Sequence, residues 1–412
     1  MDKKIEYLIL GNGVAAINAC MAIRKISQTG TVTIISTEKY PAYSAALITY
    51  LVAGEKDEKD LILYPMDWYK QNNIEIILGE RVVKVEPASK RVTLSDRKKL
   101  FYEKLLIATG ASSLLPKIPG IDQLPVFSLR ALDDAKRIIR ALTPKVKNVV
   151  VIGAGLVGLK TAEALKKRGL NVALIEQFDQ VLPRNLDRQG AEIVQSWLQR
   201  EGVVVKLGQT VKEIQSDNVV LDSGEKIPCE MVIVAAGVRP NLDFLEGSGI
   251  TVKQGILVND RCETNMKDVY AAGDVAKPTD LISGETGVNA IWPAASKMGK
   301  VAGSNTAGKA ARFEGGLPMN SMNLFGLTAI SFGVVKEEKG DEKIVGDLNP
   351  AEGIYQKVVL RNNRIVGAVL IGKNRNAGVL LGLLKNGVDV SPFKDSLLKK
   401  TFNYAKVLSL RS

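Results

Sequence analysis

The 412-residue chain contains no histidine. That absence removes the side chain whose ordinary pKa lies nearest neutrality, and with it the usual general base and the commonest metal ligand. Cysteine is almost as scarce. Cys20, Cys229 and Cys262 stand far apart, with no C-x-x-C or C-x-x-x-x-C pair to form a redox disulfide or hold a cluster. They read as buried small hydrophobes, and no resident metal is expected. No apolar run approaches the length of a membrane span. The opening MDKKIEYLILGNGVAAINAC imitates a signal peptide, but Gly11-Asn12-Gly13 interrupts its apolar stretch, so a cytoplasmic chain is expected.

What is present suits a globular protein. Hydrophobic residues make up 46% and charged residues 24%, enough to bury a core and keep a solvated face. The length implies about two or three domains. The net charge of +12 suits an acidic partner, a membrane surface or nucleic acid, without choosing among them. From 326 to 412 there are 14 Lys plus Arg against 8 Asp plus Glu, so half of the excess lies in that stretch; a solvated basic surface would look the same.

The dominant feature is a repeat. EYLILGNGVAAINACMAI is a short apolar strand, a G-x-G-x-x-A turn and an apolar helix, and VVVIGAGLVGLKTAEAL restates that grammar 142 residues later. In each copy the first glycine makes a tight turn, the second admits a pyrophosphate, and a small third residue lets helix and strand pack closely. The trios are Gly11, Gly13, Ala16 and Gly153, Gly155, Gly158. Each is followed by a carboxylate at the distance suited to a ribose hydroxyl, Glu38 and Glu176. Two dinucleotides are therefore expected. Glu176 would repel a 2′-phosphate and its neighbours Gln177-Phe178 offer no arginine to receive one, which favours NAD over NADP at the second site. An ordinary exposed glutamate at a strand end is the competing reading. KLLIATGA, EMVIVAAGVRPN and DVYAAGD supply further buried strands, the last ending in Asp274.

Together these residues resemble the pyridine nucleotide-disulfide oxidoreductases that carry two dinucleotides, and within them the branch of rubredoxin reductases, ferredoxin reductases and the NADH-oxidising module of nitrite reductases. LPRNLD at 182–187 and LPMNSMNLFG at 317–326 look like segments of that branch. The resemblance implies an α/β fold: two Rossmann-like domains, one for FAD at 1–115 and 245–325 and one for NAD at 116–244, followed by a small α+β domain at 326–412. It implies that Gly11, Gly13, Ala16, Glu38, Thr109, Gly110 and Asp274 bind FAD, and that Gly153, Gly155, Gly158 and Glu176 bind NADH. Trp292-Pro293 would open the helix whose N-terminus faces the flavin, where unpaired N–H groups stabilise negative charge; a plain surface helix is the alternative.

Two departures matter. Where relatives carry a redox cysteine, YPAYSAALITYLVAG has Ser44 and no thiol, and without a histidine base Ser44 is expected to be structural or a flavin neighbour. Ala45 stands where the rubredoxin-reductase-like branch often has arginine. Lys160 occupies a place in the second dinucleotide helix where many relatives have glutamate near flavin and nicotinamide. As a catalytic residue it would put positive charge beside the reacting rings; a solvated helix lysine is the alternative.

Beyond Leu327, ISFGVV, IYQKVVL and RIVGAVLIG around Arg361-Asn362-Asn363-Arg364 predict antiparallel strands, and NAGVLLGLLKNG a helix. The resemblance assigns such a domain to covering the flavin and meeting a partner or second subunit. SPFKDSLLKKTFNYAKVLSLRS has the composition of a docking segment, and equally of a terminal amphipathic helix. The expected activity is electron transfer between NADH and a separate, acidic iron–sulfur or rubredoxin-like carrier through FAD, with a larger redox complex or a homodimer as the assembly and no nucleic acid. An NADH oxidase and a redox-gated interaction module are the rival readings.

Overall fold

The apolar run Ile5–Leu10 becomes a central parallel strand because both its faces are covered, and its last four residues are buried. A computed structural model describes residues 4–288 and 290–403. The chain divides into two units: Met1–Leu47, Asp57–Ser112 and Val238–Leu317 form one, and Ile48–Lys56, Ser113–Gly237 and Pro318–Ser412 form the other.

In the first unit Ile5–Leu10 lies between Val32–Ser36 and Lys99–Ile107, all parallel, with Leu8 opposite Leu105 and Ile9 opposite Leu106. Ile74–Leu78 adds outside Val32–Ser36. On the other side, Val269–Ala271 pairs in parallel with Lys99–Ile107, Val269 opposite Leu105. The helices Val14–Arg24 and Trp292–Thr306 cover this sheet with Ile17, Ile23, Met298 and Ala302 among the buried residues of its core. Every parallel strand ends on the same side, where open sheets of this kind bind ligands.

The second unit repeats the arrangement. Asn148–Ile152 lies between Asn171–Glu176 and Met231–Val234, flanked by Val203–Leu207 and Val126–Ser128, all parallel. The helix Leu156–Lys167 follows the central strand. A separate antiparallel sheet runs Met319–Leu324, Leu327–Gly333, Arg364–Ile371, Ile354–Arg361, Glu342–Asn349. The α/β class, the two dinucleotide folds and the added antiparallel domain are as expected. The hairpin at Asn362-Asn363 closes with φ of 51° and 57°, the left-handed pair that asparagine tolerates in a two-residue turn. The helix Ala377–Lys385 lies within NAGVLLGLLKNG.

Two strands, Met319–Leu324 and Glu342–Asn349, lay outside the expected set. The second is mostly exposed and has little period-two contrast. Of SPFKDSLLKKTFNYAKVLSLRS, Ser391–Ser396 is a 3-10 helix with Pro at its start, and Phe393, Leu397 and Phe402 are buried. The rest of that basic segment, from 404 on, lies outside the described residues. Among the described residues no helix is long and apolar enough to cross a membrane, and no group of three His, Cys, Asp or Glu is placed to hold a metal ion.

Candidate dinucleotide sites

In the first unit the turn after Ile5–Leu10 leaves no choice of residue. Gly11 has φ of +109°, and a Cβ there would lie 2.2 Å from the Ala108 carbonyl oxygen. Gly13 is the N-cap of the Val14–Arg24 helix, with no side-chain cap and no acidic residue in the first turn. A Cβ on Gly13 would meet nothing within 4 Å, so packing does not require glycine there. Ala16 is fully buried, as close packing against the strand demands.

The Trp292 helix packs on the Val14 helix by backbone contact. A Cβ on Gly299 would stand 2.2 Å from Ala15 O, and one on Gly303 2.4 Å from Ala19 O. Equal steps of four in the same sense make the helices parallel, so both positive ends lie on the ligand side of the sheet. Six more residues precede the contact on the Trp292 helix than on its neighbour, so it starts about 9 Å farther out at 1.5 Å per residue. Its start carries Pro293, no side-chain cap and no acidic first-turn residue, and Trp292 is 37% exposed.

The remaining first-unit residues gather at the same strand ends. Asn241 Nδ2 donates to Thr109 O at 2.8 Å and its amide to Gly110 O at 3.0 Å, fixing the turn after Lys99–Ile107. Asp274 is half-buried just past Val269–Ala271, after Gly273, where a Cβ would crowd Ala15 at 3.1 Å. The Glu38 carboxylate accepts the Tyr43 hydroxyl at 2.6 Å. Ser44 is buried; its amide donates to Leu61 O at 2.8 Å and its carbonyl accepts from Leu47 N at 3.0 Å. None of the three cysteines lies in this stretch, and burial pushes each thiol up to about 12.

In the second unit Gly153 has φ of +105° with Ala235 O only 2.5 Å from a Cβ, and Gly158 would put its Cβ 1.9 Å from Gly153 O. Gly155 is the uncapped N-cap of the Leu156 helix, and its Cβ position is open. Glu176 is 6% exposed, which excludes the exposed strand-end reading. Its Oε2 accepts from Ala154 N at 2.6 Å and its Oε1 from Phe178 N at 3.1 Å, while Leu182 N donates to Ala154 O at 2.9 Å.

Lys160 does not extend into solvent. Its ammonium pairs with Glu163, donates to Asn323 O at 2.9 Å and lies 4.8 Å above the Tyr50 ring. Glu163 is 2% exposed and its Oε1 accepts from Phe325 N at 2.9 Å. Burial opposes the Glu163 charge, but Lys160, the Phe325 N–H and Lys167 outweigh it and hold the carboxyl below the usual glutamate range. The pair thereby fastens the Leu156 helix to the turn between the strands Met319–Leu324 and Leu327–Gly333.

These arrangements fit two dinucleotides. At both turns a glycine forced by a backbone clash is followed by a glycine whose missing Cβ faces open space, at an uncapped helix start. Spacing alone did not single out Tyr43, Tyr69 or Asn241. Tyr69 hydrogen-bonds Asn12 across 57 residues, and such a separation has no local sequence signal.

A family profile described as pyridine nucleotide-disulphide oxidoreductase matches residues 5–299, and one described as rubredoxin NAD+ reductase C-terminal domain matches 318–388. NADH-dependent phenylglyoxylate dehydrogenase subunit epsilon of Aromatoleum evansii is 32% identical, covering 96% of this chain and 95% of that one. NADH-rubredoxin oxidoreductase of Clostridium acetobutylicum is 33% identical, covering 96% and 97%. A crystal structure of NADH:rubredoxin oxidoreductase from Clostridium acetobutylicum matches with a TM-score of 0.79 at 30% identity, covering 99% of this chain and 100% of that one.

Proposed function

Since the chain belongs to the pyridine nucleotide-disulphide oxidoreductase family, we propose that it moves electrons between NADH and a separate iron–sulfur or rubredoxin-type carrier. It is an NADH-dependent flavoprotein oxidoreductase that uses FAD. Bound FAD supplies acceptance of a hydride and release of its two electrons singly.

The protein's own part is to bind, orient and polarise. In the first unit Gly11, Gly13 and Ala16 give the FAD pyrophosphate a bare helix start, with Glu38 and Asp274 as polar anchors, Thr109-Gly110 as a second backbone contact and Ser44 as a neighbour. The start at Trp292-Pro293 offers unpaired N–H groups to developing negative charge. In the second unit Gly153, Gly155 and Gly158 take the NADH pyrophosphate, and Glu176 is set for ribose hydroxyls. Lys160 acts as a positioning residue in that helix. One observation carries the choice of acceptor: Ser44 stands where relatives have a thiol, and the three cysteines are buried with raised pKa values, so the chain has no redox disulfide of its own to receive the electrons.

The carrier is an acidic protein that meets the +12 chain by electrostatic steering. The test is turnover of the FAD-loaded chain with NADH and a purified rubredoxin or ferredoxin under anaerobic conditions. Carrier reduction at least ~tenfold faster than the reaction with air is expected, falling as salt rises from ~0.05 to ~0.5 M. Rapid NADH oxidation by oxygen alone, not accelerated by any carrier, would make it an NADH oxidase. Slow oxidation in air that no carrier accelerates would overturn the reading in favour of a redox-gated module.

A further inference from the structure

Tyr69 sits in the helix Met66–Gln71 and is 1% exposed, with the Trp68 ring edge-on at 5.2 Å. Its hydroxyl accepts from Ala42 N at 2.9 Å and donates to Asn12 Oδ1 at 2.9 Å. Asn12 Nδ2 in turn reaches Tyr40 O at 3.4 Å. Burial pushes the phenol's pKa up, so the hydroxyl keeps its proton across ordinary working conditions.

Asn12 is the middle residue of Gly11-Asn12-Gly13. A residue between two glycines has the most mobile backbone surroundings that a chain offers, and a phosphate-binding turn must present its N–H groups in fixed directions. The second unit solves this with Glu176 and Leu182 gripping the Ala154 backbone. The first uses a side chain: Tyr69 grips Asn12 and, with the same oxygen, the Ala42 amide that leads into Ser44. One hydroxyl thus joins the pyrophosphate turn to the stretch beside it.

We propose that Tyr69 is a positioning residue for FAD, which acts through Asn12 to hold the first dinucleotide turn in its binding geometry. The inference rests on FAD being the group held by the first unit. Titrating FAD into apo protein, followed by flavin fluorescence and by visible circular dichroism of the bound flavin, tests it. Tyr69→Phe keeps the ring and removes the hydroxyl; Asn12→Ala removes the other partner.

Each single change is expected to raise the FAD Kd about tenfold, and the double change no further than either, because the two residues act as one unit. The dichroism changes in the same way in both, and NADH affinity stays within about twofold. Tyr270→Phe is the control: Tyr270 is buried in the same unit and donates to Asn305 O at 3.4 Å. It should lower Tm and leave FAD affinity alone. FAD affinity within about twofold of wild type in Tyr69→Phe, additive single effects, or equal weakening by Tyr270→Phe would overturn the proposal. A wild type that binds no FAD would sink the reading of the first unit as well.

Discussion

Lys160 shows how far one residue's role depends on its immediate partners. On an exposed helix face its charge would be free to act on a ligand, but here it is paired with a glutamate that is almost wholly buried, and it also bonds the Asn323 carbonyl. Breaking such a pair from one side leaves the other charge stranded, at a cost of about 3–5 kcal/mol when both are deeply buried. Lys160→Met should cost less, since Lys167 lies 3.3 Å from Glu163 and the Phe325 amide remains. Lys160→Glu sets two carboxylates one turn apart and should lower Tm further than Lys160→Met. It should also slow flavin reduction by NADH more than about twofold, measured by rapid mixing. A lowered Tm with an unchanged rate would reduce Lys160 to a fastener between helix and hairpin.

At the scale of elements, the contact that places the two helix starts is made of glycine. Gly299 and Gly303 let the Trp292 helix ride on the backbone of Ala15 and Ala19. Gly299→Val would drive a branched side chain into a carbonyl that cannot move without its own helix, at the upper end of the ~1–3 kcal/mol typical of overpacking. The expected outcome is a fall in Tm together with loss of FAD on gel filtration, because both helices bound the same ligand side. Gly378→Ala is the contrast: that glycine lies in the helix Ala377–Lys385, a Cβ there meets nothing within 4 Å, and the change should leave Tm and FAD content intact. The repeat was legible in the sequence because its rules act within about thirty residues: a strand, two forced glycines, a small residue, a carboxylate. Asn362-Asn363 was legible for the same reason. The Tyr69–Asn12 bond, the grip of Asn241 on Thr109-Gly110 and the bond of Lys160 to Asn323 were not, since each joins residues from 57 to 163 positions apart. The short helix Ile48–Ala53 was hidden differently: it continues the Ser44 stretch in sequence yet belongs to the second unit, and six residues carry no usable period.

For the whole molecule the missing histidine has a measurable consequence. The displaced carboxylates move down: Glu163 against its own burial, Asp268 under Lys104 and Lys90, Asp341 under Arg361. Lys104 moves up, chiefly through its bond to Asp268, and the buried thiols move up to about 12. None of these displacements brings a side chain into the neutral range. Carboxylates with depressed folded-state pKa values stabilise the fold above their unfolded values, and that contribution is lost only as pH falls through the folded ones. A raised lysine stabilises below its unfolded value and loses its contribution only as pH rises through the folded one. Both losses lie outside the range from about pH 6 to 8.5. With hydride transfer needing position and no acid or base from the protein, the rate of flavin reduction by NADH should vary less than about twofold across that range, and Tm should stay level with it. A bell-shaped or sigmoidal profile centred near pH 7 in single-turnover experiments would mean that a group other than these carboxylates, lysines and thiols carries a proton in the reaction, and the purely positional account of this chain would fall.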